Sequence, residues 1–111
     1  MHSESEPSPQ SASGESMMTD FHEVRKASLI FRALNHKLRQ QILILLFENK
    51  QLTVSELFQL LNLEQSVASQ HLAILRRTGF VKNKREGKFI WYMINPERIE
   101  EIKKCVRILL D

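Results

Sequence analysis

A mainly α fold of about five helices, interrupted by a single β-hairpin, is what the sequence predicts, and three observations carry that expectation. Apolar residues recur at helical spacing through most of residues 20–110, "TVSELFQLLNLEQSVASQHLAILRR" reads as two short helices joined by a tight turn, and "FVKNKREGKFIWYMIN" alternates around a turn with β-favouring residues. With 111 residues, 42% of them hydrophobic, there is enough for one core and too little for a second. The longest apolar run, "ILILLF" at 42–47, falls well short of the roughly 18 residues a membrane-spanning helix needs. No signal-peptide core precedes it, so a soluble, cytoplasmic protein without membrane contact is expected. The one cysteine, Cys105, cannot form an intrachain disulfide or a Cys-rich zinc site, which leaves packing to hold the fold.

Charge divides the chain. Residues 1–20 contain Glu4, Glu6, Glu15 and Asp20 with no Lys or Arg, whereas residues 21–111 carry sixteen basic against nine acidic side chains. The first segment is rich in Ser, Pro and Glu and nearly free of large apolar groups, so it buries too little to offset the entropy of ordering and is expected to be disordered. A solvated extension is the simpler reading of this tail; screening of the basic domain at 21–111 is the other.

Within the domain, "DFHEVRKASLIFRAL" supplies a first helix and "NHKLRQQILILLFENK" a second, with Asn35 as candidate N-cap and Leu38, Ile42, Leu45 and Leu46 at helical spacing. A short extended bridge leads to a third helix from Thr53, where Thr53 and Glu56 are spaced as a capping box. The fourth helix follows "NLEQ" and breaks at Gly79. Next comes the hairpin, with Gly87 in "REGK" at the expected positive-φ position. Asn95 then caps a last helix that starts with Pro96, a residue suited to N1.

Placed on a wheel at about 100° per residue, the fourth helix sorts into two arcs. Val67, Ala68, His71, Leu72, Ile74, Leu75 and Thr78 share one; Gln65, Ser66, Ser69, Gln70, Ala73, Arg76 and Arg77 share the other. An ordinary solvated face is built from Glu, Lys and Arg, yet the first two turns avoid them. Small residues let a backbone approach a surface closely, and Gln and Ser donate to and accept from base edges in the major groove. Cations follow at once: Arg76, Arg77, Lys82, Lys84, Arg85 and Lys88 face only Glu86 between residues 76 and 88, a local excess suited to neutralising phosphates. An indifferent polar surface, or a basic strand that resists edge pairing, explains either feature alone. Together and in this order they describe a winged helix-turn-helix that reads duplex DNA, with a hairpin tip on the flanking backbone.

"ALNHKLRQQILILL" at 33–46, "TVSELFQLLNLEQSVASQHLAILRRTGFV" at 53–81 and "KREGKFIWYMI" at 84–94 resemble the ArsR/SmtB family of bacterial transcriptional repressors. That resemblance implies a homodimer that binds operator DNA and represses. It places base-reading residues at Gln65, Ser66, Ser69 and Gln70 and a wing at Lys84 through Lys88, and it matches Arg39 to an arginine common in the second helix. The family's metal sites do not carry over. A Cys-x-Cys pair at the start of the third helix would fall near Thr53 and Ser55, which are poor soft-metal ligands, and no histidine follows His71 to build the site on the last helix. No metal or cofactor is therefore expected. His71 lies on the apolar arc and is expected to be a packed, hydrogen-bonded histidine rather than a base reader.

The terminal helices carry more apolar surface than one small core needs. Phe21, Val24 and Phe31 in the first, and Ile99, Ile102, Val106 and Leu109 in the last, are expected to meet a second copy in a symmetric interface. Two recognition helices about one DNA turn apart would read an imperfect palindrome. Cys105 reads most simply as a small buried hydrophobe. A thiol-responsive repressor acting through Cys105 is an alternative, as is a winged-helix module for protein interaction. No phosphate loop, carboxylate pair, metal triad or activated nucleophile suggests an enzyme.

Overall fold

A computed structural model describes residues 14–111; residues 1–13, most of the segment expected to be disordered, lie outside the described residues. The chain divides after Arg32 into two units, the second running from Ala33 to Asp111. The first consists, among the described residues, of helix α1, Gly14–Leu34, whose last two residues belong to the second unit.

Helix α1 begins six residues before the expected Asp20, inside the segment assigned to the tail. The last proline of the segment is Pro9, and from Met17 the apolar spacing is already in place, with Met17, Met18, Phe21 and Val24 along one side. Glu15 in the first turn complements the helix dipole, and the Thr19 hydroxyl donates to the Glu15 carbonyl at 3.0 Å.

In the second unit, helix α2 spans Lys37–Asn49. Its N-cap is His36 rather than Asn35: the His36 Nδ1 accepts from the Leu38 amide at 3.2 Å. Strand β1, Leu52–Thr53, is the short bridge of the sequence reading, and it joins the sheet. Helix α3, Val54–Leu60, opens on the expected capping box, in which the Thr53 amide donates to Glu56 Oε1 at 2.9 Å and the Glu56 amide to Thr53 Oγ1 at 3.2 Å. It closes on Asn62 at φ 55°, with the Leu63 amide donating to the Phe58 carbonyl at 2.9 Å, a left-handed turn of the Schellman kind.

Helix α4, Gln65–Arg77, ends the same way. Gly79 sits at φ 84°, its amide donates to the Arg76 carbonyl at 3.1 Å, and the Phe80 amide donates to the Leu75 carbonyl at 2.9 Å. Strands β2, Val81–Glu86, and β3, Phe89–Ile94, pair antiparallel from Val81 with Ile94 to Glu86 with Phe89, turning at Gly87 with φ 61°. The order is β1-β3-β2, so β3 is the central strand. Helix α5, Pro96–Leu110, follows with Asn95 in the N-cap position. The Asn95 side chain makes no capping bond; its Nδ2 donates instead to the Gly79 carbonyl at 2.9 Å, and its backbone amide to the Phe80 carbonyl at 2.9 Å.

Ile42 and Leu46 of α2, Leu57 of α3, Leu72 and Leu75 of α4, and Phe80 form the fully buried centre. Ile42, Leu46, Leu72 and Leu75 were on expected apolar stripes, Leu57 and Phe80 were not singled out, and together they seat α4 so that only one of its two arcs faces outward.

Removing part of that centre measures how firmly α4 is seated. Leu72→Ala is expected to cost about 2–5 kcal/mol, Gly79→Ala about 1–2 kcal/mol for the left-handed backbone, and Thr53→Ala about 1 kcal/mol for the cap. Urea unfolding followed by circular dichroism reads all three.

Candidate nucleic-acid interface

The wheel and the structure agree residue by residue. Gln65, Ser66, Ser69, Gln70, Ala73, Arg76 and Arg77 are all exposed, whereas Ala68, Leu72 and Leu75 are buried and Val67, His71, Ile74 and Thr78 half-buried. Among the described residues the side chains of Gln65, Ser66, Ser69 and Gln70 make no hydrogen bond within the chain. Their donors and acceptors are therefore presented outward with nothing in the fold using them. At the N-cap, Glu64 makes no side-chain capping bond, so the first-turn amides of α4 are likewise not engaged by a side chain. Arg76 and Arg77 stand on the same face about 16 Å further along, at 1.5 Å per residue.

The six cations of the sequence reading separate into two groups. Lys84 pairs with Glu86 at 3.0 Å, and Lys82 reaches Glu97 of α5 at 3.9 Å. Both are exposed pairs of little energetic weight. Among the described residues no carboxylate pairs with Arg76, Arg77, Arg85 or Lys88. Arg85 is instead oriented by its own turn, its Nε donating to the Gly87 carbonyl at 3.3 Å, and the Lys88 ammonium lies 5.5 Å from the centre of the Phe89 ring.

A cleft of about 270 Å³ brings the two halves of the surface together: Gln65 and Ser69 of α4 line it with Ser55 of α3 and with Lys88, Phe89, Ile90 and Tyr92 of the hairpin. The sequence reading named Gln65, Ser69 and Lys88 in this set and missed Phe89 and Ile90, which are 49% and 36% exposed. Large apolar groups beside a basic turn were the available signal, and the sequence reading gave neither residue a role.

Behind the exposed face, His71 meets Arg39. Arg39 is 8% exposed; its Nε donates to the Ala33 carbonyl at 2.7 Å and its Nη1 lies 3.2 Å from His71 Nδ1. The His36 ring lies 4.8 Å from the His71 ring, tilted by 54°. Burial, with His36 and Arg39 adding smaller repulsions, pushes His71 below the ordinary imidazole pKa. His71 is thus the packed, hydrogen-bonded residue its place on the wheel implied.

The residues expected at a dimer interface fall on lightly buried helices. Phe21 and Val24 of α1 and Leu109 of α5 are exposed, and Phe31, Ile99, Ile102 and Val106 are half-buried. No residue of the 15-residue α5 is buried within the single chain. Beside it, Ile44 and Phe47 of α2, 56% and 79% exposed, border a groove of about 690 Å³ shared with Ile94, Pro96 and Ile99. Phe47 was hidden from sequence reading inside the apolar run "ILILLF". Cys105 is half-buried on α5 and is a free thiol. Among the described residues no three His, Cys, Asp or Glu side chains gather closely enough to hold a metal ion, and no helix is long and apolar enough to cross a membrane.

Comparison with known proteins places this surface in a family. Residues 36–83, from the cap of α2 through the start of β2, match the family described as bacterial regulatory protein, arsR family. The chain is 38% identical over 84 residues to the transcriptional activator HlyU of Vibrio cholerae, covering 76% of this chain and 74% of that protein. It is 35% identical over 77 residues to the transcriptional repressor PagR of Bacillus anthracis, covering 69% and 77%. The solved structure of HlyU from Vibrio cholerae superposes with a TM-score of 0.61 at 36% identity, covering 80% of this chain and 97% of that one. The chain belongs to the arsR family of bacterial regulatory proteins, as a winged helix-turn-helix DNA-binding transcriptional regulator and not an enzyme.

Proposed function

We propose that the chain acts in the cytoplasm as a homodimeric repressor that recognises a specific duplex operator through α4 and holds it through the hairpin. The observation that carries this reading is the cleft in which the outward Gln65 and Ser69 meet Lys88. Uncharged hydrogen-bonding groups suited to base edges adjoin a cation with no carboxylate partner, suited to phosphate. Ser66 and Gln70 extend the reading face. Arg76, Arg77, Arg85 and Lys88 supply the phosphate contacts, while Lys82 and Lys84 join them once their weak surface pairs open. A solvated face of ordinary purpose would carry its charges throughout.

Dimerisation is supported by the bareness of α5. Ile102, Val106 and Leu109 remain accessible in the single chain, and a second copy contributes matching surface under two-fold symmetry. Phe21, Val24 and Phe31 of α1 and Ile99 of α5 extend the same proposal. Thr53 is occupied by the capping box of α3, so this side chain serves the fold. Repression follows from occupancy, because a dimer seated on promoter DNA excludes other proteins from it.

In a mobility-shift titration, Gln65→Ala with Ser69→Ala is expected to lower affinity for a selected operator duplex by about 1–3 kcal/mol per lost base contact and to leave random duplex unaffected. Arg85→Gln with Lys88→Gln is expected to weaken both duplexes alike and to reduce the salt slope by about two; the reverse pattern overturns the assignment. Ile102→Glu with Leu109→Glu is expected to give a monomer in sedimentation velocity and to lower operator affinity by about a hundredfold or more, the loss that accompanies one-handed binding.

A further inference from the structure

Arg39 and His71 are not explained by base or phosphate contact, yet they occupy the back of the reading helix. We propose that the Arg39–His71 contact, with the His36 ring against it, holds α4 in its DNA-reading pose and releases it on protonation, so that discrimination between operator and random DNA declines in acid. The proposal deepens the DNA-binding reading above and rests on it.

Hydrogen-bond chemistry sets the direction. Arginine has only donors, so the 3.2 Å approach of its Nη1 to His71 Nδ1 requires an acceptor there, which is the neutral imidazole with its proton on Nε2. His36 Nδ1 is also an acceptor, since it takes the Leu38 amide at 3.2 Å. Protonation at either Nδ1 turns an acceptor into a donor facing a donor. At His71 it also sets a cation beside a buried guanidinium. The His36 ring stands 4.8 Å away, so a charge there disfavours a charge on His71.

His36 and Arg39, both at the start of α2, are the charged or titratable groups that act on His71. Helix α3 and strand β2 also pack on α4 and contribute none. Because the folded-state value of His71 lies below the unfolded one, its contact contributes stability that is fully present above the ordinary imidazole pKa and is lost as pH falls through the folded value.

His71 follows Gln70 directly and lies two residues from Ser69, at the middle of α4, so a shift of the helix at His71 moves the groups proposed to read bases. Acid ordinarily strengthens binding to DNA, by adding positive charge to the protein. The device described here acts oppositely, and only on the sequence-specific part.

Affinities of the full chain for an operator duplex selected from a random library, and for a scrambled duplex, are to be measured at fixed salt at about pH 7.5 and about pH 5.5, either side of the ordinary imidazole value. In the unsubstituted protein the operator-to-scrambled ratio is expected to fall by roughly threefold to tenfold, approaching the worth of one charge-assisted hydrogen bond. In His36→Asn with His71→Asn, which retains an acceptor at each site without a titrating group, the ratio is expected to match the unsubstituted protein at about pH 7.5 and to stay constant on acidification. A ratio that does not change with pH in the unsubstituted protein, or that falls equally in the double variant, overturns the proposal. If the double variant fails to fold, nitrogen-resolved imidazole NMR of the unsubstituted protein decides, because neutral His71 with its proton on Nδ1 is incompatible with the contact. Absence of any operator preference at about pH 7.5 overturns the DNA-binding reading instead.

Discussion

The left-handed turn at Gly79 is the constraint on which the rest of the surface depends. It reverses the chain at the end of α4, drops Phe80 into the centre of the core, and starts β2 in the direction that carries the hairpin beside α4. Asn95 then closes the junction from the other side, binding the Gly79 and Phe80 carbonyls with its side chain and backbone. The base of the hairpin, the end of α4 and the start of α5 are therefore one hydrogen-bonded knot. An added Cβ at Gly79 would stand 2.8 Å from Arg98 Nε, the end of a flexible side chain that can move aside, so it is the left-handed backbone that calls for glycine here. Without that knot, Gln65 and Lys88 would still be exposed but would have no reason to share a cleft.

Much of this was legible because short-range chemistry and periodicity acted together. The capping box at Thr53, the turn at Gly87 and the two arcs of α4 are each fixed by residues within one or two helical turns of one another. Three features escaped for the opposite reason. Strand β1 is only two residues long, and its pairing with Tyr92 and Trp91 spans nearly forty positions, so nothing local distinguishes it from a linker. Asn95 occupies a cap position but spends its side chain on a partner sixteen residues away. His36, rather than Asn35, caps α2 because its ring also packs on His71, a tertiary contact that outweighs the usual preference for a smaller capping side chain. The start of α1 was misjudged by composition: Ser and Glu persist to residue 16, while the apolar spacing that supports helix begins at Met17.

Arg39 shows a further limit of pattern reading. A charged residue within an apolar stripe ordinarily marks a solvent-facing turn, yet this one is almost fully enclosed. Its burial is tolerated because the Ala33 carbonyl and the His71 ring accept its donors, and those partners lie six and thirty-two residues away. The domain thus uses polar groups in two distinct ways. Those behind α4 are consumed by the fold, and those in front of it are left over.

That leftover character bears on how such a domain diversifies. The side chains of Gln65, Ser66, Ser69 and Gln70 hold nothing together, so replacing them alters what the helix contacts without disturbing what seats it. Substitution across this face is nearly neutral for folding, so its chemistry can change one side chain at a time on the same scaffold. The core stripe carries the fold and the outward arc is free of it, separated by half a turn of a single helix.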